Sequence, residues 1–191
     1  MIIIENKINI LYPTTTYFKL NNVIQDSISN ITNKFLDYSK ENLEMSTNYS
    51  LNITYESYTY GNYISYVFFI SMYTGGAHPN NKIFTINFNI LENKIINIDD
   101  IIKSQFTLEF LSKESRKLLG EDKNIGKDKN SIEMLINGTK PDKLNFRNFA
   151  FSKEGLVLYF EQYQVAPYSS GIFKVTIPYN NTIRFNIDKL F

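Results

Sequence analysis

The sequence predicts an α+β fold: mainly antiparallel sheet with helices packed on one side, arranged as two small lobes sharing a core. Three observations carry this. An early stretch places apolar residues every three or four positions, which is one face of a helix. Three successive stretches then alternate apolar and polar residues across turn signals. A second helical region is followed by a hairpin and a final strand. The N-terminal lobe, helix plus hairpin, is expected over residues 1–80 and the C-terminal lobe over 81–191.

The first helix is read over residues 22–38, with Ile24, Ile28, Ile31, Phe35 and Tyr38 on the buried face and Gln25, Asp26, Asn30 and Lys34 opposite. Asn21 or Asn22 is the expected cap, because a short side-chain oxygen can accept from the free amides of a first turn. Tyr49, Leu51, Ile53 and Tyr55 then alternate with Ser50, Asn52, Thr54 and Glu56, a half-buried strand. Gly61-Asn62 turns the chain into a strand over 63–73, apolar on Ile64, Tyr66, Phe68, Ile70 and Met72 and mixed on the other face, so it is expected to be central. Residues 83–91 alternate again, with Phe84, Ile86, Phe88 and Ile90 expected inside and Thr85, Asn87 and Asn89 outside. Together these predict an antiparallel meander.

Beyond the turn at Glu92-Asn93-Lys94, Asp99-Asp100 reads as the acidic start of a helical region. Phe106, Phe110, Leu111, Leu118 and Leu119 form the apolar side of a helix ending near Gly120. Residues 121–130 are the most polar stretch and are expected to be a mobile, solvated loop. Ser131 is the expected cap of a short helix carrying Ile132, Leu135 and Ile136, which Gly138 stops. Residues 149–151 and 156–160 form a hairpin across Ser152-Lys153-Glu154-Gly155, and 173–177 a further strand.

Composition excludes several functions. With 43% hydrophobic and 20% charged residues the chain has the composition of a globular protein and is not wholly disordered. A formal charge of +1 gives no basic stripe for nucleic acid. Zero cysteines remove thiolate nucleophiles, disulfides and cysteine-type metal centres. No segment approaches the ~18 apolar residues of a membrane span, and Met1 to Ile8 lacks a basic leader. On the sequence given, the protein is expected to be either cytoplasmic or preceded by an export or membrane segment.

His78, the one histidine in the chain, sits in Tyr73-Thr74-Gly75-Gly76-Ala77-His78-Pro79. A hydrolytic triad or a histidine-based acid–base pair would have to use it, and a metal site would have to combine it with carboxylates alone. Its neighbours offer no nucleophile, and the two glycines and the proline describe a shaped turn. The catalytic alternative pairs His78 with Glu161 or Asp99 on cell-wall material. The second candidate is the stretch from Phe160 to Ile172, which holds Tyr163, Pro167 and Tyr168. Rigid aromatic rings among small polar residues suit recognition, because tyrosine brings contact area at little entropic cost. Tyr73, Gly75, Gly76, His78, Tyr163, Pro167 and Tyr168 are therefore the contact candidates. No catalytic set, metal site or cofactor is expected.

Two of these pieces also carry a resemblance. The order "YTGGAHP", alternating strand, Ile98-Asp99-Asp100-Ile101-Ile102, and much later Gly155-Leu156-Val157-Leu158-Tyr159-Phe160, "QVAPYSSG" and Ile177-Pro178-Tyr179 resembles the RsiV-like domains of bacteria. That family includes the lysozyme-binding part of RsiV-type anti-sigma factors and the noncatalytic region of PdaC-type peptidoglycan deacetylases. The resemblance implies a noncatalytic, extracytoplasmic binding module whose partner is a lysozyme-like protein or a cell-wall glycan.

Overall fold

Apolar spacing sets the first helix, and tertiary contacts extend it. The computed structural model describes residues 7–41 and 48–179, so the apolar run at residues 2–4 lies outside it. Helix α1 spans Phe18–Glu41, beyond the expected 22–38 at both ends. Leu20, Ile24, Ile28 and Phe35 are buried, as their period requires. Tyr38 is not: it is 40% exposed, while Ser39 is buried in its place. The Ser39 hydroxyl donates to Leu36 O at 2.8 Å, which lets a polar group sit inside. Neither Asn21 nor Asn22 caps the helix, since both lie within it. Instead Asn21 Oδ1 accepts from the Thr15 amide and hydroxyl, each at 2.9 Å, and its Nδ2 donates to Thr15 O, fastening the approach to the helix.

A five-stranded sheet follows the order β1-β2-β3-β4-β5, with β1 Lys7–Ile10, β2 Ser50–Tyr60, β3 Tyr63–Tyr73, β4 Asn80–Asn89 and β5 Lys94–Ile96. The β3 bounds match the expected 63–73, and β3 is central, with Val67 and Ser65 buried as well as Tyr66, Phe68 and Ile70. Strand β1 is a short parallel addition, Lys7 opposite Ser50 and Ile10 opposite Ile53. Strands β4 and β5 pair antiparallel, Asn87 opposite Ile96. The alternation in β4 misleads on one point: Asn87 and Asn89 are buried, not solvated. Asn87 Nδ2 donates to Phe149 O at 2.9 Å, and Asn89 Oδ1 accepts from the Leu91 and Glu92 amides. Paired in this way, a carboxamide can occupy an interior position.

Five helical segments and a second sheet complete the described chain. Helix α2 spans Ile98–Ile101, α3 Gln105–Gly120 and α4 Lys129–Gly138, with 3-10 turns at Lys143–Phe146 and Tyr168–Ser170. The second sheet is antiparallel, in the order β6 (Phe149–Phe151), β7 (Leu156–Phe160), β8 (Phe173–Ile177). The fold is thus mixed α+β with mainly antiparallel sheet, as the patterning predicts. Three details differ. In α3 Phe106 is 67% exposed, and the inner face is Leu108, Leu111 and Leu119 with Thr107, Ser112 and Ser115. In α4 only Leu135 of the three apolar residues is buried. Its cap is Asp128, whose Oδ1 accepts from the Asn130 and Ser131 amides, so Ser131 lies inside the helix.

The chain divides into two compact units. The first contains Met1–Glu56 and Phe68–Lys82; the second contains Ser57–Val67 and Ile83–Phe191. In the first, α1 buries Leu20, Ile24 and Phe35 with Leu51, Ile53 and Phe68 also inside. The second holds a continuous core of Tyr63, Ile101, Leu111, Phe146, Phe151, Leu158, Phe160, Val165 and Phe173 among others. In this core Tyr63 and Phe151 meet ring to ring at 4.3 Å.

Candidate functional site

Backbone geometry shapes the β3–β4 turn of the first unit. Gly75 and Gly76 have φ of 91° and 95°, a region closed to most side chains. The Tyr73 hydroxyl donates to Gly76 O at 3.0 Å and spans the turn. From α1 the Tyr38 hydroxyl reaches Thr74 O at a long 3.5 Å. His78 is exposed, with Nδ1 3.1 Å from Pro79 O. Tyr73, Gly75, Gly76 and His78 are therefore gathered in one turn.

At the base of this turn lies a groove of about 200 Å³ that sequence reasoning missed. It is lined by Ile31 and Lys34 from α1, Ile70 and Met72 from β3, and Asn80 and Lys82 from β4. Helical periodicity places Lys34 on the polar face of α1, and nothing local marks Lys82. Only the packing of α1 beside the ends of the two strands brings the two cations together around an apolar floor.

The second unit carries the other candidates. Glu161 leaves β7, Gln164 locks the next turn, and Val165 and Ala166 plug into the core. Gln164 Oε1 accepts from the Glu161 amide at 3.1 Å, and its Nε2 donates to Asn145 O at 2.9 Å and Gly138 O at 3.2 Å. Gln162 Nε2 donates to Tyr168 O at 3.1 Å. On this frame Tyr163 is 60% exposed, with φ of 66° in the left-handed region. Its ring lies 5.6 Å from that of half-buried Tyr168, and Pro167 is exposed beside them in sequence. Tyr163, Pro167 and Tyr168 thus form one outward aromatic loop. Gly171, with φ of 80°, lets the chain return to β8.

The carboxylates weighed for catalysis already have partners. Glu161 Oε1 accepts from the Ile83 amide at 3.1 Å, and its Oε2 takes the Arg147 guanidinium. Asp99 pairs with Lys143 Nζ at 2.5 Å. Asp100 accepts from the Asn97 amide at 2.9 Å, so Asn97 occupies the cap position of α2, and from Lys94 Nζ at 2.7 Å. Burial by itself would raise the Asp100 carboxyl; its hydrogen bonds and the Lys94 and Lys103 charges outweigh this and hold it below the usual carboxylate range. Among the described residues no group of three or more His, Asp or Glu side chains gathers as a metal site. No described helix is long and apolar enough to cross a membrane.

A broad cleft of about 590 Å³ in the second unit is lined by Glu109, Ser112, Lys113, Arg116, Lys117 and Pro141. Its central guanidinium is committed to structure. Arg116 Nε donates to Thr139 Oγ1 at 3.0 Å, at the C-terminal end of α4, where a cation offsets the helix dipole.

Comparison with known proteins adds three findings. The family described as "Protein of unknown function (DUF3298)" matches residues 82–180, and the one described as "Deacetylase PdaC" matches residues 4–81. The chain is 35% identical over 118 residues to the peptidoglycan-N-acetylmuramic acid deacetylase PdaC of Bacillus subtilis. That match takes in 61% of this chain but only 25% of the deacetylase, so the chain spans about a quarter of that relative. Among solved structures, a DUF3298 protein of Pseudomonas aeruginosa aligns with a TM-score of 0.62 at 17% identity, covering 84% of this chain and 75% of that one. A DUF3298 family member from Bacteroides fragilis aligns with a TM-score of 0.56 at 22% identity, covering 83% and 63%. At such identities the likeness is one of fold.

Proposed function

The chain belongs to the DUF3298 family of proteins of unknown function, and from that premise we propose that it is a noncatalytic binding module of the bacterial cell envelope that recognises a peptidoglycan-type glycan. One observation carries the reading. The aromatic loop presents Tyr163 and Tyr168 side by side on a backbone that Gln162 and Gln164 fix in advance. Fixed aromatic faces suit sugar rings, because little conformational freedom remains to be lost on binding. The relation to part of a peptidoglycan deacetylase supports the choice of ligand. The catalytic alternative is weaker: Glu161 is already engaged by the Ile83 amide and the Arg147 guanidinium, and Asp99 by Lys143 Nζ.

A lysozyme-like protein is the second reading, favoured by the RsiV-like resemblance and by the exposed Pro167 and Ile172 near the tyrosines in the chain. Both readings place the working protein outside the cytoplasm.

Co-sedimentation with insoluble peptidoglycan, and calorimetry with its soluble fragments and with lysozyme, test the proposal. Saturable binding to the glycan is expected, weakened about tenfold by Tyr163→Ala with Tyr168→Ala. Binding to lysozyme alone would replace the first reading with the second. Release of acetate or of reducing ends from peptidoglycan by the purified chain would overturn the noncatalytic assignment.

A further inference from the structure

The groove at the base of the β3–β4 turn is chemically unlike the aromatic loop. Its floor is Ile31, Ile70 and Met72, of which Ile70 is buried and the other two half-buried. Its rim carries Lys34 and Lys82, both exposed, and the neutral Asn80. Among the described residues neither lysine takes part in an ion pair. Asp37, one turn beyond Lys34 on α1, is turned to Lys40 at 3.6 Å. Two ammonium groups without an ion-pair partner among the described residues, over an apolar floor, favour a ligand with one anionic group and a short apolar arm. Neutral sugars lack the first and simple phosphates lack the second. Methionine in the floor adapts to small acyl or methyl groups.

We infer that this groove is a second ligand site, separate from the tyrosine loop, that takes an N-acylated sugar carboxylate: Lys34 and Lys82 hold the carboxylate, and Ile31, Ile70 and Met72 receive the methyl and acyl groups. The choice of sugar rests on the cell-wall reading. In cell-wall glycan the sugar with this chemistry is N-acetylmuramic acid freed of its stem peptide, which otherwise ties up the lactyl carboxyl as an amide; the free lactyl ether carries the carboxylate beside a methyl group. The alternating neutral sugar, N-acetylglucosamine, has the same acetyl group and no charge.

The test is amide NMR on the isotope-labelled chain, titrated separately with N-acetylmuramic acid, N-acetylglucosamine and glycerol phosphate. N-acetylmuramic acid is expected to shift Ile31, Lys34, Ile70, Met72 and Lys82 with a dissociation constant of about 1 mM, ordinary for a single sugar. The other two ligands should leave these signals in place. Lys34→Ala and Lys82→Ala should each weaken binding about two- to fivefold and together about tenfold, the range of exposed charge pairs. Both lysines are exposed, so the variants should keep the native amide spectrum elsewhere. Equal response to N-acetylglucosamine or to glycerol phosphate overturns the inference, as does unchanged affinity in the double variant. Co-sedimentation with peptidoglycan separates this from the broader reading. A chain that binds peptidoglycan only through the tyrosine loop, with silent groove signals, sinks this inference alone. One that binds N-acetylmuramic acid in the groove but never sediments with peptidoglycan supports the groove and sinks the broader reading.

Discussion

Gly138 is the position where two rules of stability give opposite signs, and the geometry decides between them. It is the last residue of α4, so replacement by alanine should gain up to about 1 kcal/mol from helix propensity. A Cβ placed there, however, would lie 1.9 Å from Gln164 O and 2.9 Å from Val165 Cγ1. The first contact is about 1.5 Å short of ordinary van der Waals distance, and both obstacles belong to a segment pinned by buried Val165 and by Gln164. Overpacking against backbone costs about 3 kcal/mol or more, so Gly138→Ala should lose about 2 kcal/mol net. For a chain of this size that lowers Tm by about 4–8 °C. Gly120→Ala is the internal control, since it ends α3 with nothing within 4 Å of its Cβ and should be neutral or slightly stabilising. Thermal melts followed by circular dichroism compare the two directly. Because Gln164 Nε2 donates to Gly138 O, Gly138→Ala should also weaken ligand binding at the tyrosine loop. A Gly138→Ala variant as stable as Gly120→Ala would refute the close approach of α4 to this loop.

Ser115 is fully buried and its hydroxyl has no hydrogen-bond partner among the described residues, so Ser115→Ala should stabilise by about 1 kcal/mol in urea titration. Burial, then the Glu92 charge, push the Tyr63 phenol up to about 12, against a weak hydrogen bond from Asn89. A raised folded value means stability is whole below the ordinary value of 10.0 and is lost as pH rises towards about 12; Tm measured against pH should fall over that window, and less steeply in Tyr63→Phe. Tyr163→Gly should leave Tm nearly unchanged, because relief of its left-handed backbone roughly offsets the lost contact with Tyr168, while abolishing the ring that binding needs. A lower Tm in that variant would show that the ring is there for packing.

Patterning made much of the fold legible, but only where a period is long enough to read. The strand over 63–73 and that over 173–177 are found at the bounds their alternation predicts. Strands of three or four residues, such as β1 and β5, contain too few side chains to show a period. Asn87 and Asn89 were misplaced because polarity stands for exposure in a pattern argument. Their burial depends on partners elsewhere in the chain, Phe149 among them. Caps failed similarly: several Asn, Asp and Ser residues could start each helix, and the choice of Asn97 and Asp128 depends on the path of the preceding chain. At the candidate site the tyrosines were legible as composition. Gln164, which holds them, and the Lys34–Lys82 groove were not, because both join residues distant in sequence.

The conformation of Tyr163 bears on function beyond its exposure. A non-glycine residue at φ of 66° costs about 1 kcal/mol or more relative to glycine, and a ring of this size is uncommon there. Stability alone would favour glycine or asparagine at that turn, because a side chain that is 60% exposed recovers little from burial. The contact with Tyr168 at 5.6 Å returns part of the cost, about 0.5–1.5 kcal/mol for a well-placed pair. On folding energetics the two terms roughly cancel, so packing gives no strong reason to keep an aromatic ring at this place. What the arrangement does provide is orientation. Gln162 and Gln164 fix the backbone on either side, so the direction of the ring is set before any ligand arrives. A ring held outward with no net folding gain is what a preorganised contact residue requires. In the turn that holds His78 the positive backbone angles fall on Gly75 and Gly76, so the backbone argument that singles out Tyr163 does not extend to His78.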